Sequence, residues 1–219
     1  MRRALAALAV LLVALAACGG ENGGNGGGSS APATTTTVRP AAPTTKAPTE
    51  PAAANGPAAY ILRTVPSGFV LQPEARTDTG PTDFDKAVRD DVSANGETAL
   101  RNAGFVDGYQ RTWTSVGGLD RNTVLLYRFR TPQGAAGYVD HWLATLTAAG
   151  TGVNPRVFEP PLVSDGVGVA VNSAGATTAV VVVARGNYAV QVVAEGASGT
   201  NQENAAAALA GAQLSRLPA

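Results

Sequence analysis

The chain has little of what a metal-based or disulfide-based function would need. Its 219 residues include one cysteine, Cys18, and one histidine, His141. Zinc sites take three or four protein ligands, most often cysteine and histidine, and a disulfide within the chain takes two cysteines. The sequence therefore predicts no metal, no cofactor and no internal disulfide.

An excess of charge of one sign is also missing. The chain has 16 basic and 16 acidic residues, and loss of Arg2 and Arg3 with a leader would leave 14 basic residues. This balance gives no basic surface for nucleic acid and no polybasic segment for anionic lipid. The G-x-x-x-x-G-K-[ST] phosphate loop, the G-x-S-x-G elbow and the D-x-[DN]-x-[DN]-G calcium loop are absent as well. We predict that the chain is not an enzyme and does not bind nucleic acid.

No apolar run is long enough to cross a bilayer as a helix. The longest covers residues 4–17, directly after two arginines, whereas a spanning helix takes about 20 residues. A short positive end followed by such a run is typical of a secretory signal. We predict a signal peptide over residues 1–17.

The end of this run, Leu15-Ala16-Ala17-Cys18, resembles the lipobox of bacterial lipoproteins. The resemblance implies a diacylglycerol on the Cys18 sulfur, cleavage before Cys18 and acylation of the new amine. An ordinary signal peptide with an incidental cysteine is the alternative, but the cysteine is unique and lies at the boundary with polar sequence. Two or more acyl chains anchor a protein stably. The predicted partner is thus the membrane, and the predicted location is the outer face of the cytoplasmic membrane, with the domain projecting into the cell wall.

Residues 18–57 are rich in glycine and serine, then in proline, threonine and alanine. Such composition buries too little apolar surface to offset the entropy of ordering. We predict a disordered linker, flexible at first and more extended in its proline part. Its threonine clusters fit either a glycosylated stalk or an unmodified spacer. The remaining residues, 58–219, are enough for a single globular domain.

Periodicity and turn residues predict an α+β domain, a mostly antiparallel sheet flanked by about three helices. A helix starting near residue 83 is expected to be interrupted near Gly96. The run 179–184 is apolar at consecutive positions, which predicts a central strand covered on both faces. The other expected elements are a strand at 68–71, a hairpin of 107–116 with 122–130, a helix at 132–149, a loop at 151–165, strands at 167–172, 177–185 and 187–194, and a last helix to Arg216.

Four stretches carry a resemblance to secreted actinobacterial lipoproteins. They are PSGF at 66–69, AGFVDGYQRTW at 103–113, YRFRTPQGAAGY at 127–138 and NYAVQVVA at 187–194. The resemblance implies a Mog1/PsbP-like sandwich and an envelope binding or accessory role for a protein, glycan or lipid ligand. The alternatives are a lipid carrier with an apolar cavity and an envelope hydrolase.

The predicted hairpin supplies the candidate binding face. Its residues are Tyr109, Arg111 and Trp113 on the first strand and Arg128 and Arg130 on the second. A shift of one residue in register moves a side chain to the other face of a sheet. In one register the two aromatic rings join Tyr127 and Phe129 in the core. In the other they line up with the arginines as a surface for a glycan, an acidic lipid headgroup or a protein. We favour the core register and keep the surface as a hypothesis.

The remaining polar candidates are predicted to be solvated. His141 follows Asp140 in a helix, and adjacent helical residues do not face each other, so they do not form a catalytic pair. An acidic cluster near the first helix lacks the spacing of a calcium loop. Its members are Asp83, Asp85, Asp90 and Asp91.

Overall fold

An eight-stranded sheet, in which all pairs of named strands are antiparallel, organises the fold. The computed structural model describes residues 56–64, 66–74, 79–91, 93–148, 155–173, 175–197 and 201–218. The strands are β1 (Phe69–Leu71), β2 (Gly80–Thr82), β3 (Phe105–Ser115), β4 (Arg121–Phe129), β5 (Arg156–Phe158), β6 (Val167–Ser173), β7 (Ala176–Arg185) and β8 (Tyr188–Ala197). Their order in the sheet is β1-β3-β4-β8-β7-β6-β5, and β2 pairs beside β1 on β3.

Five helices pack on the two faces of this sheet within the described residues. They are α1 (Pro57–Tyr60), α2 (Phe84–Asp90), α3 (Gly96–Ala103), α4 (Pro132–Ala148) and α5 (Gln202–Leu214). None of them is long and apolar enough to cross a membrane. The predicted α+β class with an antiparallel sheet is confirmed.

The sheet separates two hydrophobic cores. The first core lies under α1 and α5 and includes Trp113, Leu126 and Val181. The second core lies under α2, α3 and α4 and includes Tyr127 and Trp142. Strand β7 is buried from residue 179 to 183, so the prediction of a central strand covered on both faces is confirmed.

The β3–β4 hairpin forms where Gly117 and Gly118 predicted it, and Gly118 takes a left-handed φ of 72°. Its register places Tyr109 opposite Leu126 and Trp113 opposite Asn122. Tyr109 and Trp113 therefore point into the first core, whereas Tyr127 and Phe129 point into the second. The prediction that Tyr109 and Trp113 lie in the core is confirmed. The favoured register was wrong about their partners, because it treated the sheet as having one covered face.

Short or irregular segments differ most from the sequence predictions. The interruption near Gly96 is real and falls between Asp90 and Gly96. Strand β2 was not predicted, and β5 lies within the predicted loop 151–165, of which 151–154 are outside the described residues. Strands of three residues are too short to show a period in sequence.

A buried glutamine joins the start of the described chain to α5. Gln213, fully buried, accepts a hydrogen bond from the Leu62 N–H at 2.7 Å and donates one to the Tyr60 carbonyl at 3.1 Å. Arg216 Nε donates to the same carbonyl at 3.0 Å. The Tyr60 ring also packs edge-on against Tyr188, at the start of β8. We call this contact the α1–α5 clasp, and it lies at the end of the sheet opposite the β3–β4 turn.

The α3–α4 contact depends on one glycine. A Cβ atom on Gly134 would overlap the backbone carbonyl oxygen of Ala103, whereas a Cβ atom on Gly137, one turn later, would meet no atom within 4 Å. Close approach of two helices at such a point is possible because glycine has no side chain. The two glycines of α4 thus differ in whether their surroundings leave room for a side chain.

Candidate functional site

The predicted binding face is not a solvent-exposed surface. Tyr109 is 8% exposed and Trp113 is 0% exposed, and both pack in the first core. Arg111 lies on the same face of β3 and is half-buried. The aromatic rings that the hypothesis needed for ligand contact are therefore mostly covered.

Arg128, in β4, and Arg130, directly after β4, make contacts of their own. Arg128 makes a two-point ion pair with Asp107, at 2.9 Å from Nε and 2.7 Å from Nη2. Arg130 is exposed after the end of β4, and its N–H donates to the Gly104 carbonyl at 3.0 Å. By the register, Arg128 lies on the same face as Tyr109, Arg111 and Trp113, but its guanidinium is held by Asp107. Arg130 lies beyond the end of the strand.

A different group forms on the face of β3 that carries Tyr109, Arg111 and Trp113, where Tyr109 pairs with β2 and Trp113 pairs with β1. The Tyr109 hydroxyl donates to Glu74 Oε1 at 2.8 Å. The Arg111 guanidinium carbon lies 5.9 Å from the centre of the Tyr109 ring. Burial, and next the hydrogen bond to Glu74, raises the pKa of Tyr109. We call Glu74, Tyr109, Arg111 and Trp113 the edge site.

The edge site contains two buried N–H donors without an acceptor. Arg111 Nε and Trp113 Nε1 are both shielded from solvent, and no acceptor reaches either of them in the described parts of the chain. Buried donors are normally hydrogen-bonded, so each exception calls for an explanation. Glu74 was missed by the sequence predictions because nothing in its neighbourhood indicates contact with a tyrosine 35 residues away.

A second polar group, which we call the clamp, connects the α2–α3 break to α4. Asp91 Oδ2 accepts from the Tyr138 hydroxyl at 2.6 Å and lies 3.0 Å from His141 Nε2. Asp91 Oδ1 accepts from the Ser93 N–H at 3.0 Å and from the Ser93 hydroxyl at 2.6 Å. The Asp91 side chain is 2% exposed and that of His141 is 13% exposed. The prediction that both residues are solvated was wrong.

The clamp contains serine, histidine and aspartate but not the geometry of a catalytic triad. Ser93 Oγ lies 3.1 Å from His141 Nε2, the same ring nitrogen that Asp91 contacts. In a triad the carboxylate holds Nδ1 while the serine faces Nε2, so that the ring passes a proton between them. Here the aspartate also bonds the serine directly. This arrangement holds a chain segment in place and does not activate the hydroxyl.

Burial keeps the donor of the clamp protonated. The pKa of Tyr138 is raised far above its ordinary value, first by desolvation and then by the charge of Asp91. The phenol therefore remains a hydrogen-bond donor to Asp91 across the whole physiological pH range.

A buried ion pair continues the polar group beneath α2. Lys86 Nζ donates to Asp90 Oδ2 at 2.6 Å and to Gln110 Oε1 at 2.5 Å, and its side chain is 3% exposed. Burial raises the pKa of Asp90, although Lys86 acts in the opposite direction. Of the predicted acidic cluster, Asp83 and Asp85 are exposed as expected, and Asp83 caps α2 through the Lys86 N–H.

The surface of the described residues includes a pair of open depressions of similar volume. One, of about 400 Å³, lies beside the end of α5 and includes Leu162 and Arg185. The other, of about 420 Å³, lies between α3 and α4 and includes Asn102. A lipid carrier would instead need an apolar space within the sandwich, and that alternative stays a prediction. No group of three metal-ligating side chains occurs in the described ranges.

Glu195, on β8, is expected to make stability depend on pH. Its pKa is raised above 4.5 by burial, with Arg121 acting in the opposite direction. The folded state therefore binds the proton more tightly than the unfolded state, and the free energy of unfolding falls as pH rises from the unfolded to the folded pKa. We expect Glu195→Gln to raise stability at neutral pH. This gain in stability should vanish at pH values below the pKa of Glu195 in the unfolded chain.

Urea unfolding at a series of pH values checks this prediction, with Glu159→Gln as the matched control, because Glu159 is exposed. The control should change little at any pH. An equal gain at all pH values for Glu195→Gln would contradict the assigned cause.

Comparison with known proteins gives a distant structural likeness. No protein-family model matches this chain, and no curated protein matches it. Among solved structures, the chain is similar to the extracellular domain of PknH from Mycobacterium tuberculosis, with 13% identity and a TM-score of 0.46, over 72% of this chain and 94% of that one. At these values the likeness transfers no activity and no residue role. The lipobox, Leu15 to Cys18, and linker residues 18–55 lie outside the described residues, so the anchor remains a prediction.

Proposed function

We propose that the chain is a membrane-anchored lipoprotein of the cell envelope whose domain acts as a non-enzymatic binding module. The observation that carries the proposal is the order of segments along the sequence. An apolar run with two arginines before it is followed by Leu15-Ala16-Ala17-Cys18, a linker and one domain. This order fits export, lipid attachment and display of the domain away from the bilayer.

Two features of the domain support binding over catalysis. The clamp holds Ser93, Asp91 and His141 in mutual contact at one ring nitrogen, which suits attachment of a loop. The edge site places the exposed Glu74 carboxylate beside Tyr109 and the half-buried Arg111, which suits contact with a polar ligand. A hydrolase of envelope material would need a nucleophile that is free to attack, and Ser93 is held by Asp91.

Cys18→Ala is expected to remove the protein from the lipid-modified pool. Each buried methylene of an acyl chain contributes about 0.8 kcal/mol to membrane binding, and the substitution removes the sulfur that would carry the diacylglycerol. We expect loss of the lipid mass and accumulation of uncleaved precursor, measured by fractionation and intact mass spectrometry. Ala17→Gly is the control, because it keeps a small residue before the cysteine. A Cys18→Ala protein that is cleaved before residue 18 and keeps the same lipid mass would refute the anchor.

The lipid-carrier alternative is tested on the mature full chain purified in detergent from its exported form. Native mass spectrometry followed by organic extraction separates a bound lipid from the acyl chains on Cys18. A discrete extracted lipid in equal amount to the protein would replace the proposed binding module by a carrier. A chain with only its own acyl groups would support the proposed function.

A further inference from the structure

We propose that the tip of the β3–β4 hairpin docks into the lipid bilayer that carries the anchor. The tip consists of the turn residues 116–119 together with Val70 of β1, and we call it the apolar tip. This inference rests on the proposed function and deepens it by naming the surface of the domain that meets the membrane. It is carried by three exposed apolar side chains, by their uncharged surroundings and by the place where the tether enters the domain.

Exposed apolar side chains are concentrated at the apolar tip. Val116 is 80% exposed, Leu119 is 79% exposed and Val70 is 54% exposed. The backbone brings the two segments together, because the Val116 N–H donates to the Gly68 carbonyl at 3.0 Å and Val70 pairs with Thr114. Single exposed apolar side chains are common on protein surfaces, whereas a contiguous group of them marks an interaction site.

The apolar tip is held in a fixed shape. The Ser115 N–H donates to the Asp120 carbonyl at 2.8 Å, and the Asp120 N–H donates to Ser115 Oγ at 3.0 Å. The Gly118 N–H donates to the Ser115 carbonyl at 2.8 Å. Backbone groups enter an apolar medium at a high cost unless they are hydrogen-bonded, and these bonds meet part of that requirement. A fixed turn also loses little conformational entropy when it docks.

The apolar tip brings no charge to the bilayer. The sequence has no charged residue from 112 to 119. Asp120 follows directly, and its Oδ1 atom is shielded from solvent. Moving a charge out of water costs far more than moving an apolar side chain gains. An uncharged tip with exposed valine and leucine therefore fits a lipid bilayer and not a charged polymer of the wall.

The tether fits docking by this end of the domain. Helix α1 begins at Pro57, and the α1–α5 clasp lies at the end of the sheet opposite the tip. The tether would therefore have to span the length of β3, whose 11 residues extend over about 36 Å. As the flexible chain that their composition predicts, residues 19–56 have a root-mean-square span of about 30–40 Å. The local concentration at a second contact is highest when the two lengths match, so a weak insertion is sufficient.

The test places a fluorescent nitrobenzoxadiazole label at either end of the domain. Gly117→Cys puts the label in the apolar tip, where an added Cβ atom meets no atom within 4 Å. Ala212→Cys puts it on an exposed position of α5 near the clasp. The Cys18 sulfur of the lipidated mature chain is acylated and takes no label. The chain is inserted from outside into preformed phosphatidylcholine vesicles, with and without phosphatidylglycerol, and reduction of the label by dithionite measures its access to water.

We expect the label in the apolar tip to be reduced more slowly than the label on α5, with either lipid composition. The expected factor is about ten, which corresponds to burial of one valine-sized or leucine-sized side chain. The two lipid compositions should give the same result, because the tip carries no charge.

Val116→Ser combined with Leu119→Asn should abolish this protection. The matched control is Val157→Ser combined with Leu162→Asn, which removes a valine and a leucine that are exposed elsewhere on the domain. The control should keep the protection, and far-ultraviolet circular dichroism of both variants shows that the fold is kept. Removal of residues 21–52 should also abolish the protection, because the tether that remains extends over about 20 Å at most.

Three outcomes would overturn the inference. They are equal reduction of the two labels, protection that requires phosphatidylglycerol, and protection that the tip variant or the shortened tether retains. The first would show that the tip does not enter the bilayer, the second would assign the contact to charged groups, and the third would place it elsewhere. None of them touches the proposed function, because the lipid on Cys18 is measured separately by fractionation and intact mass.

Discussion

Asp91→Ala is expected to lower the free energy of unfolding by about 3–5 kcal/mol, because it removes the centre of a buried polar group. The carboxylate accepts from Tyr138 and from Ser93, and it also contacts His141. Its loss leaves these groups buried without their acceptor. For a domain of this size the melting temperature should fall by about 6–20 °C.

The matched control is Asp140→Ala, which removes an exposed carboxylate beside His141 in sequence. Substitutions at such surface positions usually change stability by about 0.5 kcal/mol or less. Urea unfolding of the mature chain measures both. A loss under about 1 kcal/mol for Asp91→Ala would show that the clamp contributes little and that its segment is held by other contacts.

Gly134→Ala and Gly137→Ala are expected to change stability in opposite directions. A Cβ atom at residue 134 overlaps the Ala103 carbonyl oxygen and must push α3 and α4 apart. Overpacking of this kind costs about 1–3 kcal/mol. At residue 137 the added methyl meets open space, so the higher helix propensity of alanine should raise stability by up to about 1 kcal/mol.

This pair carries its own control, because both changes are the same and both lie in α4. Thermal and urea unfolding of the two variants give the sign directly. If both variants were more stable than the native chain, the α3–α4 contact would have to leave room for a methyl group beside the Ala103 carbonyl. If both variants were less stable, packing against α3 would not explain the loss of stability at residue 137.

The sequence shows the regular parts of the fold because their signals are local. Gly117 and Gly118 mark a turn, and the apolar residues of β7 at consecutive positions indicate a strand with two covered faces. The register of a strand pair is not a local signal, because it depends on how the partner strand is aligned and on which faces of the sheet are covered. Polar residues at Gln110 and Thr112 look solvent-facing in sequence, yet both are buried.

The candidate site was harder to predict from the sequence than the fold was. Tyr109, Arg111 and Trp113 attracted notice because they alternate on one strand, and three of the four edge-site residues were named in this way. Glu74 completes the site from a segment without any recognisable period. Asp91 and His141 meet across 50 residues, and a contact of that kind leaves no trace in spacing.

The α1–α5 clasp determines how mechanical load would enter the domain. If the proposed tether and a ligand in the wall pulled on the domain, tension would reach it at α1, which begins at Pro57. The first hydrogen bonds in its path to another helix are those of Tyr60 and Leu62 with Gln213 and Arg216. These few bonds join the entering chain to a helix, whereas the central strands share long ladders. Such a module would yield at its clasp first, and the load would then pass to β1, whose three residues pair with β3.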